Sequence, residues 1–256
     1  MPAEGLQLAI DGAIARLTIR RPAKFNAMSR AMWRELAETV ADLSTRADVR
    51  VLVVAGEGAH FCAGGDIAEY PGFRFDQDSL RDFHEREVWG GLSALLDCDK
   101  PVIARIDGHC MGAGVEIASC CDIRVASASA RFGAPIARLG FPMAPREAAL
   151  VAREAGLATA REMLLQAAVL DAPTMLSRGF LHAVVPEAVL ADEVLTRARR
   201  MAELSPEAAR LNKQTLRALA AGTPADALVD RAYEYAGHAE HREGIAAFLD
   251  KRTPAF

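Results

Sequence analysis

A glutamate beside a glycine-rich turn has the clearest chemical potential in this chain. The stretch "IDGHCMGAGVEIASCCDIRVAS" (106–127) places Gly108, Gly112 and Gly114 before an apolar, helix-like run with Glu116 in its first turn. Glycines let a backbone turn sharply and let another group approach it closely. The unpaired N–H groups at a helix start attract negative charge. Glu116 is therefore either a partner of the helix dipole, worth about 0.3–1 kcal/mol, or a working acid/base.

A second glycine turn, "GEGAHFCAGGDIAEY" (56–70), has the same layout. Each turn follows a predicted strand and leads into a helix-like segment. Ligands usually bind at the carboxyl ends of parallel strands, so each turn can present one N–H group to the same oxygen atom. Two such donors form an oxyanion hole, which contributes about 3–4 kcal/mol per donor to a transition state. The alternative is that both turns are only tight strand–helix connections.

Several other kinds of site are excluded. "GAG" begins like a dinucleotide fingerprint, but Ile117 stands where the third glycine is required. The motifs GxxxxGK[ST] and GxSxG are absent, so neither a P-loop nor a nucleophile elbow is predicted. The five cysteines contain no CxxC pair, and we predict buried free thiols rather than a metal site or a disulfide framework.

The composition is that of a globular protein with a good core. The 256 residues are 51% hydrophobic and 25% charged, which suits one large domain or a domain with an appended helical part. The net charge is −4 and the arginines are scattered, so no nucleic-acid or membrane partner is expected. No transmembrane-length apolar run and no signal peptide are recognised, and a cytoplasmic location is predicted.

The elements that must position these turns can be read from periodicity. Alternation around Asp11-Gly12 predicts a β-hairpin, and helical spacing predicts a helix that Ser29 caps. Buried strands are predicted in "VRVLVVAG", "KPVIARIDG" and "DIRVAS", giving βαβ units and a mainly parallel sheet. Residues 67–82 are predicted to be an irregular loop leading into a helix through Trp89 and Leu95. From Ala144 onwards the pattern is helical, with a brief strand in "GFLHAVVP".

Five blocks, taken together, resemble the enoyl-CoA hydratase/isomerase (crotonase) family, in order and along essentially the whole chain. They are "RPAKFNAM" (21–28), "FCAGGDI" (61–67), "KPVIARIDGHCMGAGVEIASCCDIRVAS" (100–127), "RFGAPIARLG" (131–140) and "EGIAAFLDKRTPAF" (243–256). The resemblance implies an α/β fold with a crotonase-like core of stacked ββα units in a spiral, and a C-terminal helical region. It implies a core domain over 1–195, a helical trimerisation region over 196–256, and a homotrimer or dimer of trimers.

The resemblance also implies an acyl-CoA substrate and a role in fatty acid metabolism. The N–H groups of Ala63 and Ala113 are the implied donors to an enolate-like oxygen. CoA is part of the substrate, so no separate cofactor and no metal are expected. Phe248 and Lys251 are implied to reach the CoA of an adjacent subunit. The other residues implied to bind substrate or CoA are Lys24, Ala27, Ala63, Gly65, Asp66, Ile67 and Ala113.

One of the two glutamates that family hydratases use is missing. By resemblance Glu116 is the first, and the second belongs at the residue after "FGxP", where Ile136 stands. Hydration requires two proton movements, which two carboxylates divide naturally. Isoleucine also makes the pocket drier, which raises the pKa of a remaining carboxyl, whereas a helix start lowers it. The segment "GFPMAPREAA" departs from the family's "PGxGG" turn as well.

The resulting prediction is an enoyl-CoA hydratase-type lyase that adds water to a 2-enoyl-CoA, with Glu116 as acid/base. Alternatives are double-bond isomerisation, thioester hydrolysis or decarboxylation through the same enolate, and a non-catalytic acyl-CoA-binding protein. Four further titratable residues lie near the pocket wall and are predicted to be surface residues without a role; they are His60, His84, Glu85 and Glu87.

Overall fold

The computed structural model of the chain describes residues 4–256. Its strands are β1 Gly5–Asp11, β2 Ile14–Arg20, β3 Val51–Gly56, β4 Val102–Ile106, β5 His109–Met111, β6 Ile123–Ser127, β7 Arg131–Gly133, β8 Val169–Asp171 and β9 Ala183–Val185. Its α-helices are α1 Arg30–Thr45, α2 Gln77–Asp82, α3 Trp89–Asp97, α4 Ala113–Ser119, α5 Pro145–Ala155, α6 Leu157–Leu165, α7 Ala172–Ser177, α8 Glu187–Ala202, α9 Pro206–Ala220 and α10 Ala239–Leu249.

Two sheets organise the molecule. The larger has the order β1-β2-β3-β4-β6-β9, with β1 and β2 antiparallel and the remaining pairs parallel. The smaller has the order β5-β7-β8. The predicted hairpin, the three buried strands and the mainly parallel sheet are confirmed, as is the brief strand β9. The α/β fold with a C-terminal helical region is confirmed too.

Helix α1 covers one face of the larger sheet. Trp33, Leu36 and Val40 lie on one stripe of the helix and are buried in the main core. The helix begins where predicted, because the Ser29 hydroxyl accepts a hydrogen bond from the Met32 N–H group. The same helix packs against α3 and β1, and the two glycine turns follow β3 and β4.

Helix α8 covers the opposite face. Leu190, Val194 and Ala198 pack on Val53 and Ile103, which point away from the main core. Strands buried on both faces explain the unbroken apolar runs of β3 and β4. The predicted domain boundary at residue 195 falls within α8, and the division of the chain into two units stays a prediction. None of the helices in residues 4–256 combines the length and apolarity that crossing a membrane requires.

The segment 67–82 differs from the prediction of an irregular loop. It contains a 3₁₀ helix, Ile67–Gly72, followed by α2, and a π-helical turn, Phe83–Val88, then joins α2 to α3. The Asp66 side chain caps the 3₁₀ helix, and the Asp76 side chain caps α2. The Gly, Pro and Asp residues of "IAEYPGFRFDQDSLRD" indicated turns, whereas Asp66, just before this stretch, and Asp76 within it each start a helix.

Candidate active site

The two glycine turns lie side by side because their backbones pair. The Cys62 N–H donates to the His109 carbonyl at 2.9 Å, and the Met111 N–H donates to the Cys62 carbonyl at 2.9 Å. Ala63 directly follows Cys62, the residue that pairs with β5. Ala113 is the first residue of α4, which begins shortly after the same strand ends. Gly112 makes the turn between them at φ 46°, a conformation that glycine adopts without steric cost.

The two predicted oxyanion donors differ in their present bonding. The Ala113 N–H is the first amide of α4, one of the helix amides without an intrahelical acceptor. The Ala63 N–H donates to the Phe25 carbonyl at 3.0 Å. Phe25 and Asn26 both have positive φ, at 49° and 61°, and this left-handed pair turns the Phe25 carbonyl toward the second glycine turn. A ligand oxygen at Ala63 would have to share or replace that acceptor.

Both alanines line one cavity of about 400 Å³ together with Glu116. Glu116 is only 7% exposed although it is charged in its usual state. Ile136, at the position where the resemblance implies a second glutamate, lines the same cavity as Glu116. The structure thus brings the predicted donors, the predicted acid/base and the departure at Ile136 to one place.

Burial is the largest cause of the shift in the pKa of Glu116. Loss of solvent raises the pKa of the Glu116 carboxyl well above its usual range, and the negative charge of Glu147 raises it further. The lowering expected from the start of α4 does not reverse this. These effects favour the protonated form of the Glu116 carboxyl group, which is a hydrogen-bond donor as well as an acid.

A second buried carboxylate lies in the cavity, and the sequence analysis missed it. Glu147, in the first turn of α5, is 3% exposed and lines the same cavity as Glu116. Its Oε1 atom lies 2.8 Å from Nδ1 of His84. The signal available in the sequence was the unusual segment "GFPMAPREAA", which starts α5 with a proline and puts this glutamate in its first turn.

His84 was predicted to be a surface residue, and this prediction is wrong. Its side chain is 17% exposed and lines the cavity, because the π-helical turn rotates it inward toward α5. Arg74 Nη1 lies 3.4 Å from the other ring nitrogen, Nε2. Glu87 is also buried, in ion pairs of 2.7 Å with Arg30 and Arg34, and it does not line the cavity.

Aromatic rings hold Arg74 against the cavity wall. Its guanidinium lies 3.6 Å from the centre of the Phe141 ring and 4.6 Å from that of Tyr70. Desolvation lowers the pKa of Arg74, but guanidinium remains charged at any ordinary pH. Stacking on two rings fixes this long side chain and supplies a constant positive charge beside His84.

The residues implied to bind CoA near the second glycine turn lie around Asp66. Asp66 is buried and forms ion pairs with Arg21 at 2.9 Å and with Lys24 at 3.5 Å. These arginine and lysine charges lower the pKa of Asp66 against the effect of its burial. Gly65 and Ile67 line the cavity, whereas Lys24, Ala27 and Asp66 lie beyond its rim. Arg21, which holds Asp66, was not singled out from the sequence.

Phe248 and Lys251 lie outside the cavity of their own chain. Phe248 is 82% exposed at the end of α10, and Lys251 follows in a left-handed conformation at φ 54°. An exposed phenylalanine next to a lysine leaves an apolar and a cationic group unpartnered within the described residues.

The cysteines are buried and unpaired, as predicted. Burial raises the pKa of the Cys62 and Cys121 thiols to about 12 in each case. Residues 4–256 contain no group of three His, Cys, Asp or Glu side chains placed to hold a metal ion.

The chain is similar to known proteins over its whole length. The enoyl-CoA hydratase/isomerase family model matches residues 9–256. The probable enoyl-CoA hydratase echA8 of Mycobacterium bovis is 30% identical over 263 residues, covering 100% of this chain and 99% of that protein. The 2,3-dehydroadipyl-CoA hydratase of Escherichia coli is 32% identical over 247 residues, covering 94% and 93%. The crystal structure of an enoyl-CoA hydratase/carnithine racemase from Magnetospirillum magneticum superposes with a TM-score of 0.94 at 36% identity, covering 98% and 94%.

Proposed function

Because the chain belongs to the enoyl-CoA hydratase/isomerase family, we propose that it adds water across the double bond of a 2-enoyl-CoA thioester. The observation that carries the proposal is the buried carboxyl of Glu116 facing a cavity that Ala63 and Ala113 also line. The hydratase names of similar proteins favour hydration over the other reactions of a thioester enolate.

In the proposed reaction the thioester oxygen accepts hydrogen bonds from the N–H groups of Ala63 and Ala113. As water oxygen attacks Cβ, the electrons of the C=C bond move through Cα toward this oxygen and form an enolate. Each amide that donates to this oxygen stabilises the new negative charge by about 3–4 kcal/mol, and the Ala63 N–H exchanges its Phe25 acceptor for it. The enolate then collapses, and Cα takes a proton from the Glu116 carboxyl group.

CoA is proposed to run from the cavity past Gly65 and Ile67 toward Lys24. The Asp66 carboxylate holds Lys24 close to this path, where its exposed ammonium group favours the phosphates of CoA. Phe248 and Lys251 are proposed to complete the CoA site of a neighbouring subunit in a homotrimer or a dimer of trimers. Light scattering at working concentration tests this assembly, and a monomer there would contradict it.

The experiment on the reaction uses purified protein and a panel of trans-2-enoyl-CoA esters of short, long and aromatic acyl chains. Gain of one water in the product mass is the expected result. Glu116→Gln should lower kcat at least about a hundredfold, the usual scale of general acid–base help. An acyl-CoA that keeps its mass but moves its double bond points instead to isomerisation. Binding of acetoacetyl-CoA without conversion of any ester points to a non-catalytic binding protein.

A further inference from the structure

We propose that Glu147 is the general base of the hydration, held in place by His84 and Arg74, and that it does the work of the glutamate missing at Ile136. This inference rests on the proposed function. Glu147 lies on α5, which contains neither Glu116 nor Ile136, the two positions that the resemblance assigns to the glutamates.

The charged state of Glu147 follows from the direction of its hydrogen bonds. Arg74 can only donate, so Nε2 of His84 must offer its lone pair to the guanidinium across 3.4 Å. A neutral imidazole then carries its proton on Nδ1, which faces Glu147 Oε1 at 2.8 Å. The Nδ1–H group therefore donates to Glu147, and an ionised carboxylate is the best acceptor for it.

The same arrangement fixes the tautomer of His84 without a further residue. If His84 flipped its proton to Nε2, that N–H group would face a guanidinium that cannot accept. Glu147 would at the same time lose its only hydrogen bond among the described residues. Both losses oppose the flip, so Arg74 acts as a positioning residue for His84, and His84 for Glu147.

Glu116 and Glu147 then hold different protonation states in one cavity. Both carboxyl groups are buried, and their charges interact. Glu147 has the His84 N–H group and lies within the field of the Arg74 cation, whereas burial and the Glu147 charge both disfavour ionised Glu116. Two carboxyls whose surroundings favour different states supply one base and one acid.

With these two protonation states, every proton and electron pair in the addition of water is accounted for. Glu147 takes one proton from water as the oxygen forms its bond to Cβ, and the C=C electron pair moves onto the thioester oxygen. The carbonyl reforms as Cα takes the Glu116 proton, giving a 3-hydroxyacyl-CoA. Glu147 now carries a proton and Glu116 is ionised, and transfer of one proton from Glu147 to Glu116 restores the starting state.

The principal test compares two variants with the wild type by hydration rate and by acetoacetyl-CoA binding. Glu147→Gln keeps the shape and the His84 contact but cannot accept a proton, and kcat should fall at least about a hundredfold with binding retained. Glu85→Gln is the matched control, because Glu85 lies next to His84 and pairs with Arg146 at the surface. It should keep wild-type kcat. Wild-type kcat in Glu147→Gln overturns the proposal.

His84 is tested by a pH profile, which a purely structural role would not move. His84→Leu removes the donor to Glu147, so the pH at which kcat rises should move upward, and His84→Asn, which keeps a donor near Nδ1, should restore it. An unmoved profile in His84→Leu overturns the positioning role. The titratable and charged groups that interact with Glu147 in this comparison are Glu116, His84, Arg74 and Tyr70, whereas Arg146 and Glu85 pair with each other at the surface.

A third measurement does not depend on activity. The infrared band of a protonated carboxylic acid at pH 7 should be present in the wild type and in Glu85→Gln but absent in Glu116→Gln. Its presence in Glu116→Gln would assign the proton to another carboxyl and overturn the assignment of acid and base. A wild type that shows this band but hydrates no ester refutes the proposed function, while the acid/base assignment of the pair stands.

Discussion

Replacing Gly114 by alanine is expected to separate the two turns that carry the proposed oxyanion donors. A Cβ atom at Gly114 would lie 2.5 Å from the Cys62 carbonyl oxygen and 3.2 Å from the Cys62 Cβ. The carbonyl oxygen is backbone and already accepts the Met111 N–H, so it cannot rotate away. The second turn, which carries Ala63, must instead move away from α4, which carries Ala113.

The size of this movement follows from the contact distance. Ordinary van der Waals contact of a Cβ atom begins at 3.4 Å, so relief of the clash requires a separation of 3.4 − 2.5 = 0.9 Å. A misplacement of about 1 Å near the reacting atoms costs on the order of a hundredfold in rate. We therefore expect Gly114→Ala to lower kcat for hydration by about two orders of magnitude, with a smaller change in KM because CoA binding lies mostly elsewhere.

The control is Gly90→Ala on α3, where a new Cβ has no neighbour within 4 Å. It should keep wild-type kcat and gain about 0.5–1 kcal/mol of unfolding free energy from helix propensity. Circular dichroism and thermal unfolding identify a Gly114→Ala protein that is folded. A folded variant with wild-type kcat would refute the reasoning, since the two amides would then tolerate the separation.

Three further outcomes are expected. Ser29→Ala should lower the free energy of unfolding by about 1 kcal/mol in urea titration, because the Met32 N–H loses its cap; an unchanged midpoint would contradict this. Wild-type stability should fall as pH rises from 4.5 toward the raised folded-state pKa of Glu116, since the unfolded carboxyl releases its proton first. Glu116→Gln should remove that slope above pH 4.5, and parallel curves would refute the cause. Iodoacetamide should label none of the five cysteines in the native protein, because they are buried and the thiols of Cys62 and Cys121 have pKa values of about 12; native labelling seen by mass spectrometry would contradict this.

The sheet and its covering helices were predictable because their signals are local. The hairpin at Asp11-Gly12, the Ser29 cap and the continuous apolar runs of β3 and β4 each follow from neighbouring residues. The helices of segment 67–82 were not predictable, because "IAEYPGFRFDQDSLRD" combines helix caps with residues that also favour turns. Its helices are stabilised by contacts with distant groups, such as the Glu69 carboxylate that accepts from the Arg30 N–H.

The candidate site also contains residues that the sequence predicts and residues that it does not. Glu116 and the glycine turns were found from spacing, and their closeness to Ile136 follows from the family resemblance. Glu147 and His84 are separated by 63 residues and meet only because a π-helical turn and α5 pack together. No pattern in either segment reports such a contact, and an isolated "PREAA" is equally typical of an ordinary helix start.

The Ala63 N–H already donates a hydrogen bond to the Phe25 carbonyl, so a ligand oxygen at the proposed site has to compete with that carbonyl. A neutral thioester oxygen accepts no better than a peptide carbonyl, so exchanging one for the other gains the substrate almost nothing. An enolate oxygen accepts far more strongly, and only then does the exchange become favourable. In the proposed reaction, loss of the Phe25 hydrogen bond offsets part of the gain for the thioester and for the enolate alike. It therefore weakens substrate binding, while the difference between the two states, which sets the acceleration, is unchanged.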